Sequence, residues 1–108
     1  MQLPTEVFGE VVVVHTPEEL TDDNARGLEP FLRSLEHRRI VVDLDTTENI
    51  DSSGLEALLD CLDTAIEMGG DLKVSTTNAS NRKVLEMTRL DQQLEIYYSV
   101  IEAVKSFV

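Results

Sequence analysis

The chain has 108 residues, 42% hydrophobic and 28% charged, a globular composition with enough length for one real core. Nine lysines and arginines against twenty-one aspartates and glutamates leave a formal charge of −12, which disfavours unaided nucleic-acid binding because that affinity needs a basic face. The single cysteine, Cys61, excludes an intrachain disulfide and a cysteine-built zinc cluster, and no apolar run approaches the roughly 20 residues of a membrane span.

Met1 to Glu6 carry neither a basic nor a long apolar leader, so the expectation is one cytoplasmic domain over residues 1–108. Val7 to His15, interrupted by Gly9-Glu10, read as a short strand or hairpin ending in a β-branched run that Pro17 stops. Ala25, Leu28, Phe31, Leu32 and Leu35 then fall on one helical face, with Thr21, Asp22 or Asp23 as caps. Gly27 and Pro30 weaken that helix, since an interior proline removes a hydrogen bond. Ile40-Val41-Val42-Asp43-Leu44 has the apolar run of a buried central strand.

The strongest periodicity follows. Leu55, Leu58, Leu59, Leu62, Ala65 and Ile66 recur at helical spacing until Gly69-Gly70 stop them. Leu72-Lys73-Val74 is a further strand, and Val84, Leu85 and Met87 mark a helix opened by Ser80 or Asn81. Leu94-Glu95-Ile96 reads as an edge strand, and Val100, Ile101, Val104 and Phe107 as a terminal amphipathic helix. This alternation predicts an α/β protein with a mainly parallel sheet and helices packed on it.

The most informative segment is Asn49-Ile50-Asp51-Ser52-Ser53-Gly54, between a strand and the leucine-striped helix. Ser52 or Ser53 falls at the helix N-terminus, where a hydroxyl can serve as an ordinary cap. The same position suits a serine presented to a protein kinase. Gly54 leaves the approach open, and a phosphate there would sit in the favourable field of the helix terminus.

The hydrophobic strand, the Asp51-Ser52-Ser53-Gly54-Leu55 turn, the leucine-rich helix, Gly69-Gly70 and Leu72-Lys73-Val74 together resemble a STAS domain. More narrowly they resemble the single-domain anti-sigma factor antagonists, and Leu85-Glu86-Met87-Thr88-Arg89-Leu90 is similar to the family's stretch near its third helix. The resemblance implies a STAS-like α/β fold, a mainly parallel mixed sheet of about four to five strands with about four helices. It implies phosphorylation at Ser52 and a partner-binding surface of Asp22, Asp23, Asp51, Ser52, Ser53, Gly54, Leu55 and Glu56. The implied partners are an anti-sigma factor that is itself a serine/threonine kinase, and a phosphatase that removes the phosphate. The chain would be a monomer or weak dimer, without enzymatic activity or cofactor. The family's glycine-glutamate-leucine-aspartate turn is replaced by Thr16-Pro17-Glu18-Glu19-Leu20-Thr21, leaving its role to Asp22 or Asp23, and Glu56 stands where many relatives carry a small residue. A scaffold STAS domain in a signalling or lipid-transport complex is the alternative.

Val41-Val42-Asp43-Leu44-Asp45-Thr46-Thr47 also resembles the first motif of haloacid-dehalogenase-type phosphatases, in which one aspartate is the nucleophile and the second a general acid, and two such carboxylates at a strand end could hold magnesium. The further ligands such an enzyme needs are missing, Asp71 and Lys73 being poorly spaced, so Asp43 and Asp45 read better as residues closing a strand end. His15 and His37 read as surface side chains, Cys61 as a small buried hydrophobe, and Tyr97 and Tyr98 as covers for the sheet edge or last helix. No glycine-rich phosphate loop is present.

Overall fold

The structure, a computed structural model, describes residues 1–107. Two β-branched runs seed it: β2 (Val11–His15) and β4 (Arg39–Asp43) pair in parallel, Val11 opposite Arg39 and His15 opposite Asp43. Strand β6 (Asp71–Ser75) adds to β4, and the short edge strand β7 (Glu95–Tyr97) adds to β6, both in parallel. On the other side β1 (Thr5–Phe8) folds back antiparallel to β2 through the Gly9-Glu10 turn, where Gly9 takes the left-handed φ of +62° that a two-residue hairpin loop requires. The result is a mixed five-stranded sheet in the order β1-β2-β4-β6-β7. Two-residue strands β3 (Glu19–Leu20) and β5 (Asn49–Ile50) form a separate small parallel pair.

Alternation along the strands sends side chains to two cores. Val12, Val14, Ile40, Val42, Leu72 and Val74 face α1 (Leu28–Ser34), α2 (Ser52–Glu67) and α3 (Ala79–Met87), meeting Leu28, Leu32, Leu58, Cys61 and Leu85. Val11, Val13 and Val41 face α4 (Val100–Lys105), with Ala103, Val104 and Phe107 against them. On this second face Lys73 is buried: its amino group donates to the Ser106 carbonyl (3.2 Å) and Oγ (2.8 Å), pairs with Glu95 (3.3 Å) and lies 4.3 Å from the centre of the Phe107 ring. The lysine thereby fastens the end of α4 to the sheet. Among the described residues no helix is long and apolar enough to cross a membrane.

The expected first helix divides into a 3-10 turn (Ala25–Gly27) and α1, and Asn24 rather than Thr21, Asp22 or Asp23 stands at its cap position. Pro30 is the third residue of α1, where amides have no helical acceptor to lose, so it does not kink the helix. Asn78 caps α3, accepting from the Ser80 and Asn81 amides, instead of either of those residues acting as cap. In α4 Ile101 points to solvent at 64% exposure, and Ala103 takes the buried position. Tyr97 packs under α4 as expected, whereas Tyr98 is exposed and carries the Arg82 guanidinium 3.6 Å from its ring centre.

Helix α2 ends in a Schellman motif: the Gly69 amide donates to Ile66 and that of Gly70 to Ala65, with Gly69 at φ +83°. Cys61 is buried, and desolvation, with the nearby charges of Glu29 and Asp60, pushes its thiol up to about 12. Iodoacetamide at about pH 8 should therefore leave the native protein unmodified, and intact-mass analysis should find alkylation only in denaturant. Rapid labelling without denaturant would show that the α2–sheet interface opens readily.

Candidate functional site

The parallel strands β2, β4 and β6 all end on one side of the molecule, together with the β3–β5 pair, and α2 starts there. Asp51 leaves β5 in an extended conformation (φ −106°, ψ −173°) and its Oδ1 accepts from the Gly54 amide at 3.0 Å. Asp51, and neither Ser52 nor Ser53, is thus the N-cap of α2: its carboxylate reaches the third amide of the helix, which leaves Ser52 as the first helical residue. The other oxygen, Oδ2, accepts from the Asp22 amide at 3.0 Å, and the Ser53 hydroxyl donates to Asp22 Oδ1 at 3.3 Å. These amides hold the Asp51 carboxyl below the usual carboxylate range, Gly54 contributing most, so the cap is ionised at neutral pH.

This clasp joins two chain segments 29 residues apart. Beneath it, β3 meets β5, and the Leu20 carbonyl accepts from the Asp51 amide at 3.3 Å. Gly54 packs so closely on β3 that a Cβ would lie 2.2 Å from the Leu20 carbonyl oxygen, and Leu55 packs against the helix-side core. Of the predicted surface, Asp22, Asp51, Ser53 and Gly54 are therefore held in mutual contact. Ser52, Asp23 and Glu56 are exposed. A shallow depression of about 190 Å³ beside the turn is lined by Asp22, Arg26, Ser53, Glu56 and Asp60 among others, so acidic side chains dominate its rim.

Sequence reading missed the supports. Asn81, buried at 4% exposure, donates through Nδ2 to the carbonyls of Leu44 (3.1 Å) and Thr47 (2.8 Å), pinning the loop that delivers β5. The Thr16 hydroxyl donates to the Asp43 carbonyl and touches that of Thr47, which donates to the Pro17 carbonyl. Polar residues in polar loops give no sequence signal that they turn inward.

Asp43 and Asp45 occupy the strand end, as their plainer reading expects. Asp43 accepts from the Asp45 amide (3.0 Å) and contacts His15, and Asp45 accepts from the Thr77 amide (2.6 Å) and hydroxyl (3.1 Å). Among the described residues no group of three His, Cys, Asp or Glu side chains is placed to hold a metal ion. The histidines depart from the surface expectation: both are half-buried, His15 between two carboxylates and His37 against the Leu35 carbonyl.

The family model of the STAS domain matches residues 2–103. A Thermotoga maritima protein assigned as an anti-sigma factor antagonist is 27% identical over 107 residues, 94% of each chain. A crystal structure of a Thermotoga maritima protein with the same assignment superposes with a TM-score of 0.85 at 25% identity, covering 96% of this chain and 92% of that one. The Bacillus cell fate determinant SpoIIAA in its phosphorylated form shares the fold, with a TM-score of 0.72 at 18% identity over 99% of this chain and 100% of that one. The family match spans nearly the whole chain, and the solved structures share its fold: the chain belongs to the STAS domain family.

Proposed function

We propose that this STAS domain is an anti-sigma factor antagonist controlled by phosphorylation of Ser52. In its unphosphorylated form it binds an anti-sigma factor that is a serine/threonine kinase, and so frees a sigma factor. The kinase transfers the γ-phosphoryl group of ATP to Ser52 Oγ, releasing ADP and the hydroxyl proton, and the modified antagonist dissociates until a phosphatase restores it. The setting is cytoplasmic and the active unit is the single domain of residues 1–108. The relatives named as anti-sigma factor antagonists support the role, and the fold shared with SpoIIAA, whose phosphorylated form is known, supports the switch.

The observation that carries the reading is the division of labour in the turn. Asp51 and Ser53 are tied to the structure, while the hydroxyl between them is exposed at the first position of α2. Modification there adds about −1.5 to −2 charge beside Asp22, Asp51 and Glu56. A partner that docks on this acidic face presents basic groups, so association should be fast and salt-sensitive.

Incubation with the cognate kinase and ATP should add one phosphate to the wild type and none to Ser52→Ala, by intact mass. The alanine variant should keep its fold and its affinity for the kinase. Labelling undiminished in Ser52→Ala overturns the assignment. An affinity indifferent to the phosphate identifies a scaffold domain instead.

A further inference from the structure

Strand β1 is the least anchored strand of the sheet. It pairs with β2 alone and all its residues are exposed, Val7 at 59% and Phe8 at 43%. Among the described residues one side-chain tie reaches it: Glu6 Oε1 lies 2.6 Å from His15 Nε2. The other ring nitrogen, Nδ1, lies 2.9 Å from Asp43 Oδ2 on β4, so a single imidazole links three strands.

A neutral imidazole has one N–H and can donate to only one of these carboxylates. The other nitrogen would then oppose its lone pair to a carboxylate oxygen at hydrogen-bond distance. Imidazolium alone satisfies both contacts. We propose that His15 is a proton-operated clasp on β1, closed while the ring is protonated and opened on the Glu6 side when it is neutral.

Burial decides which side opens. The Asp43 side chain is 10% exposed and its second oxygen is held by the Asp45 amide, so it keeps the N–H of the neutral ring. The Glu6 side chain is 57% exposed and can turn into water. The neighbouring charges are committed elsewhere. Asp45 faces Thr77, and Lys73 on β6 is engaged by Ser106 and Glu95. Glu102 and Lys105 of α4 are exposed. Partial burial of the ring disfavours its charge, but the hydrogen bonds and attraction of Glu6 and Asp43 outweigh that, and the His15 pKa lies above its ordinary 6.5. A raised folded value means that the clasp contributes fully below the unfolded value of about 6.5 and is lost as pH rises through the folded one.

The test is an NMR titration of the full chain, following the assigned His15 ring together with amide protection factors, which remove the intrinsic pH dependence of exchange. As His15 loses its proton, protection of the β1 amides should fall about threefold or more, the scale of an exposed ion pair, while β4 keeps its protection. Glu6→Gln should abolish this dependence, because the amide accepts from an N–H and also donates to a bare ring nitrogen. Glu6 is exposed, so that variant should fold normally. The clasp is overturned if His15 titrates at or below 6.5, if β1 protection ignores its titration, or if the dependence survives in Glu6→Gln.

Discussion

Gly54→Ala should lower stability by about 2–3 kcal/mol and the melting temperature by about 10–15 °C. Alanine is the better helix former by about 1 kcal/mol, which on propensity alone would stabilise α2. Close approach to β3 reverses the sign. The added methyl would sit 2.2 Å from the Leu20 carbonyl oxygen and 2.8 Å from Ile50 Cγ1, and the backbone atom cannot swing aside as a side chain can. Helix and β3–β5 pair must separate, straining the bond from the Asp51 amide to Leu20. Gly69→Ala is the matched comparison: it meets open space but keeps φ at +83°, so only left-handed strain of about 1–2 kcal/mol applies. Denaturant melts of both variants measure the difference. A Gly54→Ala protein as stable as the wild type would show that α2 is not seated on β3.

Asn81→Asp should be the more damaging change, about 3–5 kcal/mol at neutral pH, as for an uncompensated buried charge. The new side chain has the same shape but no N–H, and it would aim a carboxylate at the carbonyls of Leu44 and Thr47. Because burial raises the folded pKa of that carboxyl above its unfolded value of about 3.9, the loss is greatest above the raised value. Stability relative to wild type should recover as pH falls through it, when an O–H donor returns. Asn81→Ala should lose about 2 kcal/mol with no such recovery. Paired urea titrations across the acidic range separate the two. A pH-independent difference between wild type and Asn81→Asp would mean that the site is wetter than its 4% exposure indicates.

How much of this was legible in the sequence depended on whether a residue's role is written in spacing. The leucine stripe of α2 is periodic, the runs Val11–Val14 and Ile40–Val42 are short and β-branched, and Gly69-Gly70 marks a helix stop; these are local signals, and the fold follows them. The Asp51-to-Leu55 turn was legible as a resemblance, but the capping atom was not. Serine and aspartate both cap well, and choosing Asp51 over Ser52 depends on where β5 ends, a tertiary fact fixed by its pairing with β3. That β3 exists could not be read from Glu19-Leu20, because two residues carry no period. The same holds for Asn81, Thr16 and Thr47, whose partners are backbone carbonyls and therefore anonymous in sequence.

The two outer strands of the sheet bear on the behaviour of concentrated protein. An unpaired strand flank is a template for intermolecular hydrogen bonding, the first step toward aggregation. Here one flank is β7, only three residues long with Glu95 at its start, and the other is β1, preceded by Pro4 and bearing Glu6. Carboxylates resist stacking on copies of themselves in a chain already at −12. Charge is therefore written into the sheet margins: neutralising Glu6 would remove it from β1, whereas neutralising Glu95 would also take the ion-pair partner from buried Lys73.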